Sequence, residues 1–99
     1  MIYELLKKGQ NNAMSSEELI KALPIQNKRV MQEIIAKERE SGKVILSTTK
    51  NGGGYYLPGT REELTEFINT LSKRAGNTFK ALRSAKALLK RIDEDGEKL

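Results

Sequence analysis

The chain contains no cysteine and no histidine. The first absence excludes a disulfide framework and a thiolate metal site. The second removes the usual general base, the commonest zinc ligand and the ordinary switch near neutral pH. No enzyme activity, cofactor or metal is therefore expected. Tryptophan is absent too, and there are only two prolines, Pro24 and Pro58. No apolar run approaches the about 18 residues of a membrane span, and no signal-like segment is visible. The reading is a soluble, cytoplasmic protein with no membrane partner.

What is present is basic. Eighteen Lys and Arg against thirteen Asp and Glu give a net charge of +5 and a pI near 9.6, which favours a polyanionic partner without identifying it. A chain of 99 residues, 37% apolar, can enclose one core, with a C-terminal third left to add something of its own.

Ile2, Leu5 and Leu6 fall at i, i+3 and i+4, which predicts a first helix from Ile2 to Lys8 ended by Gly9 in a left-handed conformation. Ser15-Ser16-Glu17-Glu18 reads as a capping box that starts a second helix with Leu19, Ile20 and Leu23 as its buried face. Pro24 cannot continue the ladder and stops it. A third helix is expected from about Asn27 to Ser41, with Val30, Met31, Ile34 and Ile35 inward and Gly42 as its cap. Its opposite side carries Arg29, Gln32, Glu33, Ala36 and Arg39. Asn and Gln can pair bidentately with adenine, and Arg with guanine, in a major groove.

Beyond Gly42 the strand alternates Val44 and Leu46 against Lys43, Ile45 and Ser47, and the return strand is Tyr55-Tyr56-Leu57, ended by Pro58. Gly52-Gly53-Gly54 lets the tip adopt positive φ. A phosphate-gripping loop is excluded, because a Lys and a Ser or Thr at the head of a helix would have to follow the last Gly, and here a Tyr and a strand follow. Lys50 and Asn51 at the tip are read as phosphate or minor-groove contacts.

From Ile2 to Pro58 this order resembles a winged helix-turn-helix of the biotin-operon-repressor type. The resemblance rests on the Ile-x-x-Leu-Leu opening, Ser-x-Glu-Glu-Leu at Ser15 to Leu19, Arg-Glu-Ser-Gly at Arg39 to Gly42, and Gly-Tyr-x-Leu at Gly54 to Leu57. It implies that the third helix is the recognition helix, that the hairpin is the wing, and that Ala13-Met14 supplies a short third strand. Nothing resembles a ligase or ligand-sensing domain, so biotin chemistry is not implied.

In the last third, Thr60-Arg61-Glu62-Glu63 reads as another capping box. Leu64, Ile68, Leu71, Ala75, Leu82, Ala85, Leu89 and Ile92 then follow by fours and threes as a heptad seam, widened by Phe67, Phe79 and Leu88. A single helix of about 33 residues would reach ~50 Å and needs another helix beside it. Either it continues and pairs with its copy in a homodimer, or it breaks at Gly76-Asn77 into a hairpin. The dimer is preferred because the seam keeps its phase across Gly76. Between Phe67 and Ile92 stand seven cations and no acid. They are a solvated face, a contact for DNA backbone or an attachment to anionic lipid, and lipid is disfavoured by the lack of Trp.

The expectation is thus a mainly α chain with a small antiparallel β-hairpin (α+β): a winged helix-turn-helix over residues 1–59, a heptad helix over 60–93 and an acidic disordered tail over 94–99. Sequence-specific binding of double-stranded DNA is expected, as a prokaryotic or phage transcriptional regulator. Asn27, Arg29 and Gln32 are candidates for base edges, Gln26 and Lys28 for flanking phosphates, and Lys50 and Asn51 for backbone contacts from the hairpin. The alternative is a winged helix used for protein interaction or replication assembly, with non-specific DNA affinity. The Glu17-Glu18 and Glu62-Glu63 pairs could suggest acid/base carboxylates, but both stand in first helical turns, where capping explains them.

Overall fold

A serine hydroxyl starts the first regular helix, α1 (Ser16–Ala22). In the computed structural model, which describes residues 1–96 and Lys98, the Glu18 amide donates to Ser15 Oγ at 3.1 Å and the Ser15 amide donates to Glu18 Oε1 at 3.3 Å. The capping box thus satisfies two of the donors a helix start leaves without partners. Leu23 turns to an extended conformation ahead of Pro24, the backbone preference that a following proline imposes. The chain then re-enters helix as α2 (Lys28–Glu40), whose N-cap Asn27 accepts the Val30 amide at 3.0 Å through Oδ1.

Gly42 closes α2. At φ +104 it lets its own amide reach Arg39 O at 3.0 Å and the Lys43 amide reach Glu38 O at 3.1 Å, the paired bonds of a Schellman turn. The hairpin follows as β1 (Leu46–Thr48) and β2 (Gly54–Tyr56), antiparallel in the register Leu46↔Tyr56, Ser47↔Tyr55, Thr48↔Gly54. Helices with one two-stranded antiparallel sheet make the fold α+β, as its sequence pattern predicts.

The core joins α1, α2 and the segments around them: Ile2, Leu6, Leu19, Ile25, Met31, Ile35 and Ile45 form one buried cluster. Each such side chain contributes about 1.5–3 kcal/mol through the surface it removes from water. Val30, Ile34 and Leu57 pack against its edge.

Two predicted elements differ. The helix expected over Ile2 to Lys8 shrinks to a 3-10 turn, Tyr3–Leu5. The chain turns extended at Leu6, and there Lys7 O accepts the Leu57 amide at 2.8 Å and the Gly9 amide donates to Leu57 O at 2.9 Å, a tertiary ladder in place of the last helical turn. Gly9 has positive φ, but at φ +94 and ψ 140 it precedes the 3-10 turn Gln10–Asn12 rather than capping a helix. The alternation expected along the first strand also fails. Ile45 and Leu46 are adjacent and both 0% exposed, and Val44 is 46% exposed. Arg39 accounts for the break, because its guanidinium donates to Ile45 O through Nε at 3.0 Å and Nη2 at 2.7 Å, outside any strand ladder.

A third backbone segment joins the hairpin at Met14, which exchanges amide and carbonyl with Tyr55 at 2.9 Å in both directions. Glu38 ties the chain start to α2. Its carboxylate accepts the Ile2 amide at 3.0 Å and the Tyr3 amide at 3.3 Å and pairs with the Met1 amino group.

The last helix, α3 (Arg61–Asp95), is continuous through Gly76 and Asn77, so it has no hairpin break. Its start is anchored: the Glu63 amide donates to Thr60 Oγ1 at 3.1 Å, and the Glu63 carboxylate accepts the Gly59 and Gln10 amides, each at 2.9 Å. Those bonds, the Gln10 one first, hold the Glu63 carboxyl below its ordinary range. The helix carries Glu94 and Asp95, the first residues of the expected acidic tail; Glu97 and Leu99 of that tail lie outside the described residues. By internal contacts the chain forms two units, Met1–Phe67 and the residues from Ile68 onward. In the second unit no residue of α3 is buried, and Ile68, Leu71, Phe79, Leu82 and Leu89 are exposed.

Candidate nucleic-acid interface

The polar residues expected to meet a ligand stand at two places in the first unit. One is α2. Met31 and Ile35 are drawn into the core, which turns Arg29, Gln32 and Ala36 outward on one face. Arg29 is 87% exposed in its side chain and makes a long 3.5 Å ion pair with Glu33 one turn on. A contact that loose and wet is worth a few tenths of a kcal/mol, so Arg29 can be recruited elsewhere. Gln32 is exposed between them in sequence.

Gln26, Asn27 and Lys28 lead into α2, and all are exposed. Asn27 has a structural task, since its Oδ1 holds the Val30 amide. Its carbonyl oxygen already accepts one bond, so the bidentate pairing expected of it would have to use the second lone pair beside that cap. Lys28 lies about 100° round the helix from Arg29 and about 40° from Gln32, at the margin of that face. Arg39, grouped with the outward set on sequence, is engaged with Ile45 O and lies 5.6 Å from the centroid of the Phe67 ring.

The other place is the hairpin tip. Thr48 Oγ1 accepts the Lys50 amide at 3.1 Å, Lys50 to Gly52 make a 3-10 turn, and the Gly53 amide closes on Lys50 O at 3.0 Å. Asn51 at φ 53 and Gly52 at φ +88 take the left-handed conformations that this turn requires. Lys50 and Asn51 are exposed there.

Sequence reasoning passed over the residues that flank that tip. A polar groove of about 440 Å³ is lined by Gln10, Asn11 and Ala13 together with Lys50, Asn51 and Gly53. Gln10 builds it: Nε2 donates to Thr48 Oγ1 at 3.0 Å while the backbone amide is held by Glu63. The signal was the polar run Gln10-Asn11-Asn12, but no periodicity links it to a hairpin tip some forty residues later.

Among the described residues no group of three or more acidic side chains is arranged to hold a metal ion, and no helix is long and apolar enough to cross a membrane. The arrangement can supply hydrogen-bond donors and cations from an exposed helix face and a loop. No family model, curated protein or solved structure matches the chain.

Proposed function

We propose that this protein is a sequence-specific double-stranded DNA-binding protein of the winged helix-turn-helix class, acting as a prokaryotic or phage transcriptional regulator. The observation that carries the reading is the exposed outer face of α2, with Arg29 and Gln32 one turn apart, on a helix whose other side is locked in the core. An α-helix fits the major groove, and Arg and Gln are the side chains that read guanine and adenine there. The hairpin tip, with Lys50 and Asn51, would reach the flanking backbone as a wing. The part played by the protein is binding, not catalysis.

The protein is further proposed to act as a homodimer through the α3 seam of Leu64, Ile68, Leu71, Ala75, Leu82, Ala85, Leu89 and Ile92. The support is the exposure of Ile68, Leu71, Leu82 and Leu89, which leaves an apolar face on the second unit. That same face favours the second reading, a winged helix that docks into a larger protein assembly.

Selection from a random duplex pool tests both. A palindromic product supports sequence reading by a two-fold dimer, and no enrichment refutes it. Arg29→Ala is expected to relax sequence choice, costing about 1–3 kcal/mol on the selected site, whereas Lys50→Ala weakens all duplexes alike and lowers the salt slope by about one. Equal losses on every sequence for both variants would refute this division of labour.

A further inference from the structure

The second unit carries charge that the proposed reading does not use. At about 100° per residue, Lys73, Lys80, Arg83, Lys86, Lys90 and Arg91 fall within one arc of about 140° on α3, and Arg74 alone lies off it. All six are exposed. The helix is unbroken across them, so they form one stripe running about 25 Å from Lys73 to Lys90. No carboxylate stands three or four residues away from Lys73, Lys80, Arg83 or Lys86, so none of these has an acid at ion-pair spacing along the helix.

We propose that this stripe is a second DNA-binding surface, which grips duplex phosphates without reading bases and is separate from α2 and the hairpin tip. It adds a site to the proposed DNA-binding function. A long stripe of cations matches a long polyanion, and duplex DNA offers a charge about every 1.7 Å of its axis. Single strands are a poorer match, because they are held by stacked aromatic rings and Phe79 is the one ring beside the stripe. An anionic bilayer is a poorer match too. A helix lying in a membrane interface carries cations at both edges of its apolar face. Here six of the seven border one edge, and the other carries Asn77, Thr70 and Ala81 with Arg74 as its single cation.

The test compares the full chain with two variants, Lys80→Gln/Arg83→Gln/Lys86→Gln and Arg29→Ala/Lys50→Ala, on a selected and a scrambled duplex between 50 and 200 mM salt, and on vesicles containing phosphatidylserine. Gln preserves helix propensity, and circular dichroism confirms that α3 is intact. The stripe variant is expected to lose about 2.7 from the slope of log K against log salt on both duplexes, so that across this range its affinity falls about 40-fold less than that of the wild type. A slope equal to that of the wild type overturns the inference and leaves the α2 reading standing. Loss of vesicle binding with unchanged duplex binding overturns it in favour of lipid. If the Arg29/Lys50 variant binds every duplex like the wild type while the stripe variant does not bind, the α2 reading falls and the stripe stands. Absence of any duplex binding by the wild type overturns both.

Discussion

Gly54 is the position where an added methyl group has least room. A Cβ there would stand 2.8 Å from Met14 O, 3.0 Å from Met14 C and 3.2 Å from Ala13 Cβ, and the first two are backbone atoms that cannot rotate away. Gly54→Ala can be accommodated in two ways. If the strands stay in place, the close approach costs about 1–3 kcal/mol, as overpacking does. If the Met14 segment moves off, the two 2.9 Å bonds between Met14 and Tyr55 are lost, at about 0.5–1.5 kcal/mol each. Either route gives about 1–3 kcal/mol on top of the strain an L side chain meets at φ +155, so a melting temperature lower by at least about 5–20 °C is expected for a unit of this size. Gly52→Ala is the control. It meets nothing within 4 Å but sits at φ +88, so it pays only backbone strain of about 1–2 kcal/mol and leaves the ladder alone. Thermal unfolding measures the first effect, and amide hydrogen exchange at Met14 and Tyr55 separates the two variants. Gly54→Ala with wild-type melting and full protection at both amides would refute the packing argument.

Glu63 makes stability depend on acid. Its pKa is lowered in the folded chain below the ordinary 4.5, so its stabilising contribution is complete above that value and disappears as pH falls through the lower folded value. The melting-temperature gap between wild type and Glu63→Gln is expected to be widest near pH 7 and to close below pH 4.5. Gly76→Ala, in the interior of α3 with nothing within 4 Å of its Cβ position, is expected to stabilise that helix by about 1 kcal/mol and raise its far-ultraviolet dichroism. A loss of helicity would show that the helix bends there. Glu33→Gln releases Arg29 and removes a negative charge from the α2 face, so duplex affinity is expected to rise several-fold in low-salt titrations; a fall would count against DNA contact by that face.

The elements that were legible in the sequence are those whose signals are local. Ser15 and Glu18 form their box within four residues, and Gly42 ends α2 where the last apolar turn leaves it. What was not legible depends on partners far along the chain. Leu57 pairs with the backbone of Lys7 and Gly9 across some fifty residues, and that pairing, invisible to periodicity, stands in place of the last turn of the predicted opening helix. Ile45 is buried against the strand pattern where Arg39 captures its carbonyl, and Arg39, though exposed, is committed to that bond. Asn27 shows the same limit at the candidate site. Its residue type suits both a cap and a base contact, and only the geometry at the Val30 amide shows that it caps. The groove beside Lys50 needed the folded position of Gln10.

The double grip of Glu63 on Gly59 and Gln10 has a practical consequence for dividing the molecule. A fragment ended at residue 59 would keep every core side chain yet strand the Gln10 amide and strip Phe67 from beneath the Arg39 guanidinium. The smallest piece that keeps both contacts therefore runs through Phe67. Its terminal turns hold the first loop through Glu63, and a fragment ending before that residue releases it.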